Sequence, residues 1–304
     1  MGSLPGPMGS SREMRADASP LRFSGVVRST LFAPLWTDVR LTGVFLDLDG
    51  VLAPIAPRPD LAVVPGATVA LLRRLLRVFG LVAIVSGRSV ADARRMIDLP
   101  GLTVVGNHGA EVSFPGQAQA SAAVPCEGPR DERLDLIERV AHELESNERL
   151  STAGVRLERK GLSVALHTRG SGEQAAGLAT AVAGAAAARY GLEVLRGRAV
   201  IDLRIPGCTK GSAVIDLVAG ADLVAALYVG DDGTDLDAFA ALDRLHGEAG
   251  VHGVKVGVAS DDGPPELSEV ADMMIEGADV PALLAALADE AESRGDDSGA
   301  EEAR

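Results

Sequence analysis

Four short apolar runs of strand length constrain the fold of this chain more than any other feature. They are VFLDL at 44–48, LVAIV at 81–85, LTVVG at 102–106 and AALYVG at 225–230. Continuous apolar runs, rather than alternating ones, are typical of strands buried on both faces, as in parallel sheets. Residues 64–80, between the first two runs, have Pro65 and Gly66 at their start, apolar residues at helical spacing and Gly80 at their end. The pattern predicts βαβ units around a parallel sheet.

The middle of the chain has a different pattern. Residues 130–150 predict an amphipathic helix, and 155–161 and 162–169 predict two strands that meet at a turn near Gly161. An Ala-rich helix is predicted over 172–190, and a second strand pair follows it. This α-β-β-α-β-β order is typical of an antiparallel sheet with helices on one face. We therefore expect an α/β protein with a Rossmann-like parallel-sheet core and an inserted α+β cap domain.

Pro, Gly and charge patterns divide the chain into five segments. Residues 1–40, rich in Gly, Pro, Ser and Arg, are expected to be a mostly flexible extension in which only 30–37 packs on the surface. The core is predicted over 41–112 and 206–288, and the cap over 113–205. Residues 289–304 hold seven acidic residues and two arginines and predict an acidic, disordered tail.

The overall charge limits the possible partners. The formal net charge of −14 and the lack of a basic stripe argue against a nucleic-acid partner. The two cysteines, Cys126 and Cys208, have neither metal-like spacing nor the density of a disulfide framework, and we expect small buried thiols in a reducing cytoplasm. No apolar run has signal-peptide or membrane-span length. We expect a soluble cytoplasmic protein without a membrane partner. We take a monomer as the expected state, although the sequence does not fix it.

Asp47 and Asp49 end the first apolar run in FLDLDG. The two-residue period of a strand points both side chains the same way, at the edge where parallel sheets bind ligands. One carboxylate could attack phosphorus while the other protonates the leaving alkoxide and later activates water. An ordinary Asp-Gly turn after a strand would give the same local pattern.

Two further segments could bind an anion. IVSGRS at 84–89 ends a strand and opens a helix, so that Ser86 and backbone N–H groups suit a phosphate, although Ser89 could simply cap the helix. Lys210 begins the helix that follows the insert. It could be a surface charge, but a site with two carboxylates and a phosphoryl group needs a fixed cation.

The segment YVGDDGTDLDAF at 228–239 crowds four acidic residues at the end of a strand: Asp231, Asp232, Asp235 and Asp237. Such a cluster repels itself unless a cation neutralises it. Carboxylates without nearby His or Cys favour magnesium over zinc. A cluster that only caps the following helix would also produce this pattern.

Taken together, DLDG, SGR, Lys210-Gly and GDDGTD occur in the order and contexts typical of the haloacid dehalogenase superfamily. Over residues 43–288 the chain resembles the trehalose-6-phosphate phosphatase family, through GNHGAE at 106–111, ERKGLSVALHTR at 158–169 and DLRIPGCTKG at 202–211. The resemblance implies a Mg²⁺-dependent phosphatase that forms an aspartyl phosphate, with the cap closing over a disaccharide phosphate.

The resemblance also implies residue roles. Asp47 would be the nucleophile and Asp49 the general acid/base, while Ser86 and Lys210 hold the phosphate. Mg²⁺ would be bound by Asp47, Asp231 and the Asp49 backbone, with Asp232 and Asp235 in the surrounding layer. The positions that match sugar-binding residues are Arg88, Asn107, His108, Glu111, Lys160, Ser163, His167, Arg169, Asp202 and Arg204.

Three departures leave the sugar open, because Val51, Thr168 and Asp202 stand where the family usually has Thr, Tyr and Glu. A shorter acid shifts a hydroxyl contact, and the loss of Tyr removes an aromatic ring. The substrate could therefore be a pseudo-disaccharide phosphate of the validoxylamine A 7′-phosphate type instead of trehalose 6-phosphate. The same motifs would also fit a phosphoryl transferase or mutase, or a non-catalytic sugar-phosphate binder.

Overall fold

The computed structural model describes residues 21–56, 58, 61–117, 121–122, 130–197, 199–260 and 263–301. Within these residues two sheets form. The first part of the large sheet and its helices are α1 (Leu21–Val27), β1 (Thr42–Leu46), α2 (Gly66–Val78), β2 (Leu81–Val85), α3 (Val90–Met96), β3 (Thr103–Gly106), β4 (Glu111–Ser113) and β5 (Ser121–Ala122). The second part consists of α7 (Lys210–Gly220), β10 (Ala225–Gly230), α8 (Asp235–Ala249), β11 (His252–Ala259), α9 (Pro265–Val270), β12 (Met273–Glu276) and α10 (Val280–Glu301).

The segment between these two parts forms the small sheet and its helices. Its elements are α4 (Arg130–Glu145), α5 (Glu148–Thr152), β6 (Arg156–Arg159), β7 (Ser163–His167), α6 (Glu173–Tyr190), β8 (Glu193–Gly197) and β9 (Val200–Arg204). The four strands are antiparallel in the order β6-β7-β9-β8. The predicted turn falls at Gly161, whose φ of 79° favours glycine. The α-β-β-α-β-β pattern is confirmed, with the short helix α5 added.

The large sheet has the strand order β12-β11-β10-β1-β2-β3-β4-β5. The strands from β12 to β3 are parallel, while β4 and β5 are antiparallel additions. The α/β fold class with a Rossmann-like core is therefore confirmed. Because β1 lies between β10 and β2, the carboxyl ends of three strands far apart in sequence meet at one edge.

The ends of the predicted segments differ from the structure. Residues 21–29, expected to be flexible, pack on the core, because Phe23 and Val27 are buried and the Val27 carbonyl accepts from the Trp36 indole at 2.7 Å. Residues 30–37, expected to pack on the surface, are buried more deeply than that, with Phe32 and Leu35 fully buried. The large sheet continues through β5, beyond the predicted start of the cap at residue 113. Residues 1–20 lie outside the described residues, and the division into domains stays a prediction.

The predicted acidic tail is helical as far as Glu301. Acids at its start are paired with arginines: Arg74 donates to Glu292 Oε1 at 3.0 Å and Arg28 donates to Glu290 at 2.5 Å. Ala291 is fully buried, so the helix continues as packed structure beyond residue 289. The disordered tail was therefore a wrong prediction for this part of the chain, because long-range ion pairs compensate the acids.

Cys208 is buried and disulfide-bonded, so the expectation of a thiol is wrong at this position. Cys126 lies outside the described residues.

Candidate active site

Asp47 lies at the carboxyl end of β1 and is almost completely buried. Its backbone N–H continues the sheet by donating to the Val229 carbonyl at 2.9 Å, and its Oδ1 accepts from the Leu48 N–H at 2.7 Å. The chain then turns tightly at Gly50, where φ is 88°. A Cβ at Gly50 would lie 2.1 Å from Asp231 Oδ2, so the turn is in close contact with the second acidic segment.

Asp49 is more exposed than Asp47 and is held by Arg88. The guanidinium donates from Nε to Asp49 Oδ2 at 2.6 Å and from Nη2 to Oδ1 at 2.7 Å. Bidentate pairs of this kind fix the orientation of a carboxylate as well as its position. The pKa of Arg88 is raised, mainly by the hydrogen bonds to Asp49 and also by the charge of Glu158 in the small sheet.

Ser86 follows β2 and is buried beside this pair. Its N–H donates to the Val105 carbonyl at 2.9 Å, and its hydroxyl accepts from the Arg88 N–H at 3.1 Å. Ser89 caps α3 by accepting from the Asp92 N–H. The SGRS segment therefore contains both a buried hydroxyl at the site and an ordinary helix cap.

Lys210 begins α7, whose start is fixed by a capping box between Thr209 and Ser212. The side chain is buried, so it is not a surface charge. Its ammonium lies 2.8 Å from Asp235 Oδ1, 3.1 Å from Asp47 Oδ2 and 3.6 Å from Asp232 Oδ1. Burial lowers the pKa of an ammonium, but these three carboxylates more than offset it and raise the pKa of Lys210 well above its usual value.

Asp231, Asp232 and Asp235 follow β10, next to β1, and each has a different environment. Asp232 accepts from the Thr234 N–H at 2.7 Å and from the Thr234 hydroxyl at 2.6 Å. Asp235 Oδ2 accepts from the N–H groups of Asp231 and Asp232 at 2.9 and 3.0 Å. Asp231 Oδ1 is buried without a hydrogen-bond partner among the described residues. Among the described residues, Asp231 is therefore the only one of these three acids with a buried side-chain oxygen that lacks a hydrogen-bond donor.

Burial and mutual repulsion raise the pKa values of two acids in this cluster. Burial and then the charges of Asp235 and Asp232 raise the pKa of Asp231 to about 7. Burial also raises the pKa of Asp47 well above its usual value, although Lys210 opposes the shift. Oxygens of Asp47, Asp231 and Asp235 lie within 4.8 Å of one another. Because Lys210 and two backbone N–H groups already occupy Asp235, the carboxylates of Asp47 and Asp231 fit a divalent cation best.

The small sheet contributes polar side chains to the same region. Lys160 Nζ lies 2.9 Å from Asp202 Oδ1, and His167 Nε2 lies 2.7 Å from Glu158 Oε2. Asn107, which follows β3, donates from Nδ2 to the Lys160 carbonyl. This bond joins the large sheet to the turn between β6 and β7.

Two nitrogens in this region are buried without a hydrogen-bond partner in the described part of the chain, His108 Nδ1 and Arg204 Nη1. Burial and then the Lys210 and Lys160 charges lower the pKa of His108 to about 3, so the imidazole is neutral. The same Arg204 donates from Nε to Glu193 at 3.1 Å, and its Nη2 lies 3.9 Å from Asp237 at the start of α8.

The remaining predicted residues have individual positions. Glu111 accepts from the Val90 N–H at 3.0 Å and so caps the start of α3. Ser163 donates to Asn107 Oδ1 at 3.4 Å. Arg169 lies beyond the end of β7 with an exposed side chain. Binding of a sugar by these three residues stays a prediction.

Sequence reasoning missed Glu158, Glu193 and Tyr228. Glu158 is two residues before Lys160, so the strand period could have placed both on one face. Glu193 gave no signal, because its partner Arg204 is on another strand. Tyr228 looked like one more apolar residue of β10, but its hydroxyl donates to Asp235 Oδ1 at 2.7 Å.

Comparisons of the sequence give a consistent result. The family model for trehalose-phosphatase matches residues 45–270. The trehalose-phosphate phosphatase of Mycobacterium marinum is 37% identical over 211 residues, which are 66% of this chain and 51% of that protein. That of Mycobacterium tuberculosis H37Rv is 32% identical over 238 residues, or 74% of this chain and 56% of that protein. The chain spans about half the length of these curated relatives.

Solved structures share the fold. A trehalose-6-phosphate phosphatase related protein matches with a TM-score of 0.67 and 24% identity, over 83% of this chain and 99% of that one. The C-terminal domain of Candida albicans trehalose-6-phosphate phosphatase gives 0.63 and 20%, over 84% and 96%. A haloacid dehalogenase-like hydrolase from Bacteroides thetaiotaomicron gives 0.55 and 15%, over 83% and 98%.

No helix among the described residues has both the length and the apolar character to cross a membrane.

The matched family model covers residues 45–270, which include the strand ends and the helix start that form the acidic site. The chain therefore belongs to the trehalose-phosphatase family.

Proposed function

We propose that this chain is a Mg²⁺-dependent phosphatase that hydrolyses trehalose 6-phosphate to trehalose and phosphate. Family membership supports a phosphoric monoester hydrolase, and the names of the curated relatives supply the substrate. The observation that carries the proposal is the buried Lys210 ammonium 3.1 Å from Asp47 Oδ2, next to Asp231 with its unsatisfied oxygen. A fixed cation beside a carboxylate at a sheet edge suits the transfer of a phosphoryl group.

In the first step, a carboxylate oxygen of Asp47 attacks phosphorus and the bond from phosphorus to the sugar oxygen breaks. The leaving alkoxide takes a proton from Asp49, which leaves an aspartyl phosphate on Asp47. In the second step, Asp49 removes a proton from water as the water attacks phosphorus, and phosphate leaves with Asp47 regenerated. Arg88 binds both oxygens of Asp49, an arrangement that fits the carboxylate form that removes a proton from water in the second step. Donation to the alkoxide in the first step needs the carboxylic acid form, in which one of these two hydrogen bonds is given up.

The phosphoryl oxygens would be bound by Ser86 and Lys210, which are both buried at the site. Mg²⁺ would be held by the carboxylates of Asp47 and Asp231 and by the backbone of Asp49, with oxygen donors of the kind this ion prefers. When bound, it would neutralise charge on the phosphoryl oxygens. Burial of Asp47 excludes bulk water from the nucleophile.

The sugar would lie between the two sheets, where His108 Nδ1 and Arg204 Nη1, which have no hydrogen-bond partner within the described ranges, provide polar groups. In the small sheet, Asp202 forms an ion pair with Lys160, so the shorter acid is already used within the protein. We propose that residues 113–205 act as a cap that closes over the substrate.

The test is phosphate release from a panel of substrates by wild-type protein and by Asp47→Asn. The panel contains trehalose 6-phosphate, a pseudo-disaccharide phosphate and glucose 6-phosphate, each with Mg²⁺. We expect the highest kcat/KM with trehalose 6-phosphate, and no release by Asp47→Asn although this variant remains folded. Release by that variant would contradict the role of Asp47, and preference for another phosphate would contradict the substrate.

Two further outcomes would point to different functions. Phosphate delivered to a second sugar, instead of water, would identify a phosphoryl transferase or mutase. Stabilisation by trehalose 6-phosphate without any release would identify a binding protein.

A further inference from the structure

Tyr228 has a fully buried side chain in the middle of the sheet, on strand β10 between β1 and β11. Its ring packs edge-on against Phe239 of α8, with the ring centroids 5.9 Å apart. The hydroxyl donates to Asp235 Oδ1 at 2.7 Å. A phenol in this position is more than an apolar strand residue, because its polar end enters the charged cluster.

Asp235 binds four donors at once. Oδ1 accepts from the Tyr228 hydroxyl and from Lys210 Nζ at 2.8 Å, while Oδ2 accepts from the N–H groups of Asp231 and Asp232. A carboxylate has about four acceptor positions, so this one is saturated. A Cβ at Gly230 would lie 2.3 Å from Asp235 Cγ, which shows that the carboxylate also packs tightly against the backbone.

From these contacts we infer that Tyr228 is a positioning residue for the proposed phosphoryl transfer: through Asp235 it sets where the Lys210 ammonium lies relative to Asp47. The inference rests on the proposed function. The ammonium has three N–H groups and three carboxylate neighbours, of which Asp235 and Asp47 are the nearest at 2.8 and 3.1 Å. The Tyr228 hydroxyl shares Oδ1 with the ammonium, so it limits how far Asp235 can draw Lys210 away from Asp47.

Without the Tyr228 hydroxyl, Asp235 Oδ1 loses one of its two hydrogen-bond donors, and this carboxylate is fully buried. The ammonium is the charged donor already in contact with this oxygen, so we expect it to shift toward Asp235. A shift of this kind weakens the contact with a phosphoryl group on Asp47 but leaves the sugar-binding side chains in place. The expected effect is therefore on kcat and not on KM.

The experiment compares Tyr228→Phe with two controls in the full chain. Tyr228→Phe keeps the ring and its packing on Phe239. Thr103→Val also removes a fully buried hydroxyl, one that has no hydrogen-bond partner among the described residues. Phe239→Leu disturbs the packing of the Tyr228 ring and keeps the hydroxyl.

We expect Tyr228→Phe to lower kcat for trehalose 6-phosphate about 10- to 100-fold, because small misplacements of a catalytic group have effects of this size. KM should change less than about twofold, and Thr103→Val should retain the wild-type kcat. Affinity for orthovanadate, a mimic of the transferred phosphoryl group, should fall with kcat in calorimetry. Replacement of tyrosine by 3-fluorotyrosine keeps the O–H donor and should preserve kcat.

A kcat of Tyr228→Phe within about twofold of wild type would overturn the inference. Equal losses of kcat and melting temperature in Tyr228→Phe and Phe239→Leu would also overturn it, since packing alone would then explain them. If Tyr228→Phe does not fold, loss of kcat in the 3-fluorotyrosine protein decides against the inference and retention supports it. Failure of the proposed function would give a different result, because wild-type protein would then release no phosphate from trehalose 6-phosphate. The orthovanadate affinities of wild type and Tyr228→Phe would still test the inference in that case.

Discussion

Replacement of Lys210 by Met should destabilise the protein strongly, and more at high pH than at low pH. The ammonium is buried between Asp235 at 2.8 Å, Asp47 at 3.1 Å and Asp232 at 3.6 Å. Met has a similar length without the charge, so the three carboxylates lose their shared cation. Removing one partner of a buried ion pair costs about 3–5 kcal/mol of folding free energy. For domains of this size that corresponds to a fall in melting temperature of roughly 6–20 °C.

The pH dependence follows from the raised pKa values of the acids. The pKa of Asp231 is about 7 and that of Asp47 is well above its usual value, and removal of Lys210 should raise both further. A carboxyl with a raised pKa binds protons more tightly in the folded state, so stability falls as the pH rises from about 4 through the folded pKa. The destabilisation by Lys210→Met should therefore be smaller at pH 5 than at pH 8.

Urea unfolding at both pH values, with EDTA present, measures these free energies. The matched control is Lys255→Met, whose ammonium pairs with the exposed Asp243 at 2.6 Å and should contribute no more than about 1 kcal/mol. The reasoning is refuted if Lys210→Met costs no more than Lys255→Met. An equal cost at pH 5 and pH 8 would refute the account of the carboxylates.

Three further changes test other parts of the site. Gly50→Ala should reduce turnover by about 100-fold, because its Cβ would displace Asp231; unaltered Mg²⁺ affinity in calorimetry would contradict this. Asn107→Gly keeps a backbone with φ of 48° but deletes the bond to the Lys160 carbonyl, so KM should rise about fivefold at constant kcat; an unchanged KM in steady-state kinetics would show that the bond does not assist binding. Removal of Mg²⁺ by EDTA should abolish phosphate release and lower the unfolding free energy by about 2.7 kcal/mol relative to Mg²⁺ at 100 times its Kd; stability that does not respond to Mg²⁺ in differential scanning calorimetry would count against the metal site.

The core strands could be predicted from the sequence because their signal is local. The run from Val44 to Leu48 covers most of β1, and the run from Ala225 to Gly230 matches β10. The runs are continuously apolar because helices cover both faces of the sheet. The residues at the strand ends were predictable for the same reason, since carboxyl ends of parallel strands form the binding edge.

The terminal segments could not be predicted in this way. Residues 21–29 and the part of α10 beyond residue 288 carry polar and charged residues that resemble a solvated chain, but their partners are far away in sequence. Arg28 meets Glu290, and Arg74 meets Glu292. Composition describes a segment by itself, and these ion pairs form only when both ends of the chain pack on the same sheet.

The sequence alone determined that buried parallel strands would end in carboxylates, because each apolar run and the acids at its end lie within a few residues of one another in the chain. Tertiary structure alone decided what each acid contacts. The strand order puts β10 beside β1, so that Lys210 lies between Asp47 and Asp235, while Arg88 binds Asp49. The physical reason is that hydrogen-bond partners depend on distances of about 3 Å between atoms, which packing sets and local sequence does not encode.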